Sequence, residues 1–177
     1  MTNKFNALIL GLGISLSTLP VLAQQTNKVN EVLIDADNQI AMIKENITIF
    51  DKNVHIVHGN RQIKADRLEA HRRPELGDNK QLLLATGNPA MYIETMEDGQ
   101  QITASATEIR YDVATQMLQI KGDAKIEMAD QQIIAETISY DIDKQTISAE
   151  KDENSSTRVR TTLTPQSEEK PQEKEQQ

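Results

Sequence analysis

One unit is written twice between residues 106 and 149, and that repetition limits the folds open to the chain more than any other feature. The first copy reads Ala106-Thr107-Glu108-Ile109-Arg110-Tyr111-Asp112-Val113, followed by Gln116 and Leu118. The second reads Ala135-Glu136-Thr137-Ile138-Ser139-Tyr140-Asp141-Ile142, followed by Gln145 and Ile147. The offset is 29 residues (106 to 135). Weaker copies begin at Ala36-Asp37 and Ala65-Asp66, again 29 apart. A second marker runs between them as Lys52-Asn53-Val54, Gly87-Asn88-Pro89 and Gly122-Asp123-Ala124, with Asn53, Asn88 and Asp123 spaced by 35. A fixed period means stacked supersecondary units, none of which can bury its apolar face alone.

Within each unit the apolar residues alternate. Ile109, Tyr111 and Val113 share one parity against Glu108, Arg110 and Asp112, and Ile138, Tyr140 and Ile142 share one against Thr137, Ser139 and Asp141. Ala124, Ile126 and Met128, the pair Ile47 and Ile49, and the pair Val54 and Ile56 repeat the pattern. Period-two alternation is a half-buried strand. Runs are expected to end at Gly59-Asn60, Asp98-Gly99, Gly122-Asp123 and Ala129-Asp130, residue types that supply left-handed turn backbone. Strand and turn in regular succession predict an all-β chain.

Residues 1–23 stand outside that rhythm. Lys4, an uncharged apolar run and Val21-Leu22-Ala23 predict a secretory signal peptide cleaved after Ala23, with an uncleaved membrane anchor as the alternative. Residues 24–164 form the predicted domain. The Pro-, Gln-, Glu- and Lys-rich residues 165–177 are expected to be disordered. Cysteine is absent, so the domain relies on its sheet rather than on disulfides. The formal net charge of −8 argues against a nucleic-acid partner, which needs a basic stripe. With aromatics at 3%, the interior is expected to be aliphatic. Val32-Leu33-Ile34, near the start of the mature chain, reads as an edge strand able to pair with another chain or fixed within its own sheet. The charged run from His71 through Arg72, Arg73, Pro74 and Glu75 to Lys80 reads as an exposed loop.

No catalytic constellation emerges. His55 and His58 differ by an odd number and so face opposite sides of a strand, unable to share a metal. With His71 they read as solvated polar side chains. No nucleophile elbow or phosphate-cradling glycine loop occurs, and no acid pair stands out among 27 acidic residues. Catalytic residues, metal ligands and cofactors are therefore all expected to be none. What remains is the apolar face, which either fills with its own side chains or leaves a groove for an apolar ligand.

A signal peptide, Ile34-Asp35-Ala36-Asp37, Lys52-Asn53-Val54, Ile63-Lys64-Ala65-Asp66, Gly87-Asn88-Pro89-Ala90, Ala106-Thr107-Glu108-Ile109-Arg110-Tyr111 and Gly122-Asp123-Ala124 occur in that order. The ordered part, roughly residues 29–163, resembles the OstA-like family of periplasmic lipopolysaccharide-transport proteins. The resemblance implies a long V-shaped antiparallel β-jelly roll open at both ends. It implies a non-enzymatic role in which lipid A acyl chains lie between the sheet walls. The implied partners are lipopolysaccharide, a bitopic inner-membrane component, an outer-membrane β-barrel translocon, and further copies of the chain stacked head to tail. Lipid-facing positions of the family match Val32, Ile34, Tyr92, Tyr111 and Val113, and parity alone adds Ile47, Ile49 and Ile109. At Tyr92 the competing inward pair is Met91 and Ile93. Three functions stay open: a lipid conduit, a β-scaffold that touches no lipid, and a secreted glycan-active enzyme.

Overall fold

The computed structural model describes residues 31–78, 80–151 and 158–164. The segment read as a signal peptide and the tail at 165–177 lie outside the described residues. Among the described residues ten strands form one antiparallel sheet: β1 (Val32–Asp35), β2 (Asn38–Met42), β3 (Ile47–His58), β4 (Arg61–His71), β5 (Leu82–Thr95), β6 (Gln101–Asp112), β7 (Met117–Met128), β8 (Gln131–Asp141), β9 (Thr146–Glu150) and β10 (Arg160–Leu163). The expectation of an all-β architecture holds, with one 3-10 turn at Pro74–Leu76 as the exception among the described residues. β3 through β8 pair in sequence order as a meander. Each edge is made of two short strands: β1 and β2 both pair with β3, while β9 and β10 both pair with β8.

The turns at Gly59-Asn60, Asp98-Gly99 and Ala129-Asp130 fall where the sequence places them, and Gly59, Gly99 and Ala129 all have positive φ. Gly122-Asp123 does not end a strand. It lies inside β7, where Gly122 (φ 80) and Asp123 (φ 50) shift the register, and the ladder to β8 resumes at Ala124 opposite Ala135. The same left-handed irregularity occupies Lys52 and Asn53 (φ 69 and 50) in β3; the register also shifts at residues 87–89 in β5, there without a positive φ. Left-handed backbone here inserts extra residues into one strand, which bends the ladder without reversing the chain. A side chain at position 122 would be strained by that φ and would run into Thr107 Oγ1, which is why glycine is required.

The bulges line up. On neighbouring strands the register breaks between Asp51 and Val54, Lys64 and Arg67, Thr86 and Ala90, Ser105 and Glu108, and Lys121 and Ala124. This line is a crease across the whole sheet, and both sequence repeats mark it. Its inner side carries Val54, Ala65, Ala90, Ala106, Ala124 and Ala135, small residues that let two walls meet at a sharp angle. The crease divides the strands into a first arm, holding 54–58, 61–65, 90–95, 101–106, 124–128 and 131–135, and a second arm holding the other halves.

Cross-strand pairing orders the inner side chains into rows. The middle row of the first arm runs Ile34, Ile56, Ile63, Tyr92, Ala104, Ile126, Ile133. The second arm answers with Phe50, Leu68, Ala85, Ile109, Ile120, Ile138. Beyond it lie Ala70, Leu83, Tyr111, Leu118 and Tyr140. Every buried apolar residue among the described residues belongs to this one cluster. The charged loop after β4 is exposed as expected, and Arg73 clasps it to the second arm. Its guanidinium donates to both carboxylate oxygens of Asp112, at 2.6 and 2.9 Å, and to the Lys80 carbonyl at 2.8 Å. That bond to Arg73 holds the Asp112 carboxyl below its ordinary value.

Candidate functional site

Of the eight positions chosen from the sequence, six point to the inner face and two do not. Ile109, Tyr111 and Val113 are inward and buried. Tyr92 is fully buried, while Met91 and Ile93 lie on the opposite parity, so Tyr92 is the inward residue of that strand. Val32 and Ile34 pack against the core from the edge. Ile47 and Ile49 are the correction. Phe50 and Thr48 hold the inner parity of that half of β3, opposite the buried Leu68 and Ala70, so Ile47 and Ile49 sit on the outer face opposite His71 and Glu69. Even parity carries through the bulge from Ile56 and Val54 to Phe50 and Thr48, so the alternation of the apolar pair Ile47 and Ile49, taken by itself, is what misplaces them.

The two arms meet. Ile56, Ile63, Leu68, Leu83, Ile109, Leu118 and Ile126 expose 2% of their surface or less. An open apolar groove along the full length is therefore not what the inner faces form in this structure. Open space lies at the rim. A cleft of about 1220 Å³ is bounded by Gly59 to Arg61, by Glu94 to Asp98, and by Ile142 and Gln145. A second space of about 390 Å³ adjoins it between Met96, Ile102, Met128, Ile133 and Ile147.

Between these spaces and the apolar interior sits a buried polar cluster that the sequence reading missed. His58, Arg61 and Glu94 are consecutive members of one cross-strand row at the rim of the first arm. Arg61 Nε donates to Glu94 Oε1 at 3.1 Å, and Arg61 Nη1 donates across to Gln116 Oε1 at 3.2 Å. Tyr92 donates to the second Glu94 oxygen at 3.0 Å. Tyr111 of the second arm donates to Gln116 Oε1 at 3.2 Å and meets His58 Nδ1 at 2.9 Å. With its proton given to Gln116, the phenol oxygen accepts from His58 Nδ1–H, which fixes the imidazole tautomer. All three tyrosines of the chain are buried. Tyr140 differs from the others because its hydroxyl has no partner. Leaving such a group unpaired in a buried setting costs about 1–3 kcal/mol. Burial first, and then the Glu94 charge, push the Tyr140 phenol up to about 12.

His58 is therefore not a solvated side chain: it is 6% exposed. Its burial and then the Arg61 charge hold its pKa below the ordinary 6.5. The unfolded chain takes up that proton first, so stability falls as pH drops below about 6.5 and continues to fall until the folded-state pKa is passed. Denaturation midpoints at stepped pH are expected to decline through this window in the native chain. In His58→Gln the decline should be flattened; an unchanged slope would assign it to other groups.

Among the described residues no cluster of His, Cys, Asp or Glu could hold a metal ion, and no helix is long and apolar enough to cross a membrane. The buried polar groups bond to one another across the arms. The geometry suits holding two apolar walls together, or apart, around something equally apolar.

Comparison with known proteins points the same way. Residues 33–146 match the family model described as LptA/(LptD N-terminal domain) LPS transport protein. The lipopolysaccharide export system protein LptA of Escherichia coli K12 is 26% identical over 165 residues, covering 93% of this chain and 88% of that protein. Its counterpart in Haemophilus influenzae is 28% identical over 130 residues, covering 73% and 74%. Among solved structures, LptH of Pseudomonas aeruginosa, described as the LptA-homologous periplasmic component of a lipopolysaccharide transport device, superposes with a TM-score of 0.70. The two are 17% identical, and the match covers 78% of this chain and 98% of that one. That likeness shows the β-jelly-roll fold that the sequence resemblance implied.

Proposed function

This chain belongs to the LptA/LptD N-terminal-domain family of LPS transport proteins, and on that premise we propose that it is a periplasmic lipopolysaccharide-binding bridge between the inner and outer membranes. Acyl chains would enter between the arms while the sugars stay in water. The observation that carries this reading is the inner face itself. It is aliphatic from Ile34 on the first edge to Ile138 near the last, and its arms are joined at the rim by side-chain contacts. Each Å² of wall that meets an acyl chain contributes roughly 25 cal/mol, without a polar contact to pin the lipid in place.

The edges support the bridging half of the proposal. Leu33 and Ile40 on the N-terminal edge strands and Leu163 on the C-terminal one are exposed large apolar residues. Strand addition from one copy to the next would cover them, and a head-to-tail contact of that type need not close. The same mode would join the chain to a bitopic inner-membrane partner and an outer-membrane barrel. A protein that stays monomeric at every concentration would remove this half.

One observation favours a second reading, a β-scaffold that touches no lipid: the inner faces are in contact. Photo-crosslinkable residues separate the two. At Tyr111 and Val113 they are expected to capture lipopolysaccharide, while at Ile47 and Ile49 they stay silent. Silence at both inward positions would establish the scaffold instead.

A further inference from the structure

The exposed Leu33 of β1 and Leu163 of β10 would be covered whichever edges meet: one of each, two N-terminal or two C-terminal. The charges on these edges do discriminate. Residues 31–37 carry Glu31, Asp35 and Asp37 and no base, while residues 158–164 carry Arg158 and Arg160 and no acid. All five residues are exposed. Asp35 pairs with His55 and Arg160 with Ile134, next to the inward Ile56 and Ile133, so both lie on the outer face. Among the described residues, Asp35, Arg158 and Arg160 have no ion-pair partner. The edges of the second arm are nearly neutral: β2 has no charge and β9 only Glu150.

Direction and register follow from the ladder. Seven pairings, all antiparallel, lead from β1 to β10, an odd number, so β1 of a following copy meets β10 in the antiparallel sense. A line of direct partners crosses the first arm from Asp35 through Lys64 and Ser105 to Arg160. Carrying that line into the next copy keeps the crease continuous. It sets Arg160 against Asp35, Leu163 against Val32 and, two residues along, Arg158 against Asp37. A two-residue slip in either direction keeps one of the two ion pairs and offsets the crease. A one-residue slip sets the outer residues of one edge against the inner residues of the other. Pairing two N-terminal edges about Leu33 would place Glu31 against Asp35 twice, and two C-terminal edges would crowd four arginines onto one seam. Like charges directly opposite are destabilising.

We propose that these edge charges fix the direction and frame of the joint between copies: Arg160 of one copy pairs with Asp35 of the next, and Arg158 with Asp37. The inference rests on the bridging reading above and adds to it the residues that make the joint one-directional. Asp37 also accepts a hydrogen bond from Asn53 at 2.7 Å, so the rung to test is Asp35 with Arg160.

The first test reverses that rung in the full chain and reads self-association by sedimentation equilibrium. Asp35→Arg and Arg160→Asp are each expected to weaken it by about tenfold, as two charges of one sign replace a pair. The chain carrying both reversals is expected to return to within about threefold of the native constant, the signature of two directly coupled positions. The second test keeps every charge. The native chain has no cysteine, so an introduced thiol is the only one in its chain. Leu33→Cys mixed with Thr162→Cys, one residue along in the proposed frame, should form a disulfide, since direct partners sit about 4.5–5.5 Å apart. Leu33→Cys mixed with Thr164→Cys, two residues out of frame, should not, nor should Leu33→Cys alone. The thiol pairs decide the matter if a reversed chain fails to fold. The proposal is overturned if single reversals leave association unchanged, if the double reversal does not recover it, or if the out-of-frame pair cross-links as readily. In each case a native chain that still self-associates keeps the bridge and loses the charge assignment. A native chain that is monomeric at every concentration loses both.

Discussion

Arg61→Met is expected to destabilise the fold by about 3–5 kcal/mol in chemical denaturation, the usual cost of stranding one member of a buried ion pair. Glu94 is 3% exposed, and its charge is balanced by Arg61 at 3.1 Å and by the Tyr92 hydroxyl. Removing the guanidinium leaves a buried carboxylate with a single neutral donor. It also cuts the Arg61–Gln116 bond that joins the arms. The double variant Arg61→Met with Glu94→Leu is expected to recover most of the loss, because an apolar pair of similar volume is often as stable as the ion pair it replaces. If the double variant is as unstable as the single, the loss comes from packing around position 61 and not from the stranded charge. If the single variant costs under about 1 kcal/mol, the pair behaves as a solvent-screened one, which its burial argues against.

The logic of that cluster was partly legible in the chain. His58 shares the inward parity of Val54 and Ile56, Arg61 that of Ile63, and Glu94 that of Tyr92. Charges on an apolar parity at strand ends are the signal, and it reads as fraying until the partners are known. Those partners come from the opposite arm, 53 residues away for His58 and Tyr111 and 55 for Arg61 and Gln116. Alternation within a strand contains no information about what the facing wall brings to it. The repeat was legible as a period but not as a shape. Gly122-Asp123 and Lys52-Asn53 have the residue types of a turn, and whether left-handed backbone turns the chain or bulges it depends on the neighbouring ladder. Ile47 and Ile49 were misplaced for another reason: they alternate as apolar residues on the outer face, while the inward parity of Val54 and Ile56 continues unbroken to Phe50 and Thr48. From Ile109 to Val113, parity placed the inward residues correctly.

The same inside-outside distinction sets the largest functional effect. Ile34→Asp is expected to weaken lipopolysaccharide binding by about a hundredfold or more, equivalent to ~3 kcal/mol, since an unpaired carboxylate would face hydrocarbon. Ile34 is the appropriate inward position for this change. It is half-buried on the edge strand β1, in the row that continues through Ile56, Ile63 and Tyr92. The charge can therefore reach water when no lipid is present, so the variant should fold. Ile109→Asp, at a fully buried position, would confound lost binding with lost structure. The matched control is Ile47→Asp, on the outer face opposite His71, where a carboxylate has water and a basic neighbour. It is expected to bind as the native chain does. Circular dichroism establishes that both variants are folded, and a titration with purified lipopolysaccharide reads the affinity. If Ile34→Asp folds and binds normally, acyl chains do not pass along this row. If the two variants lose affinity equally, the effect is one of net charge, and the wall between the arms is not where the lipid lies.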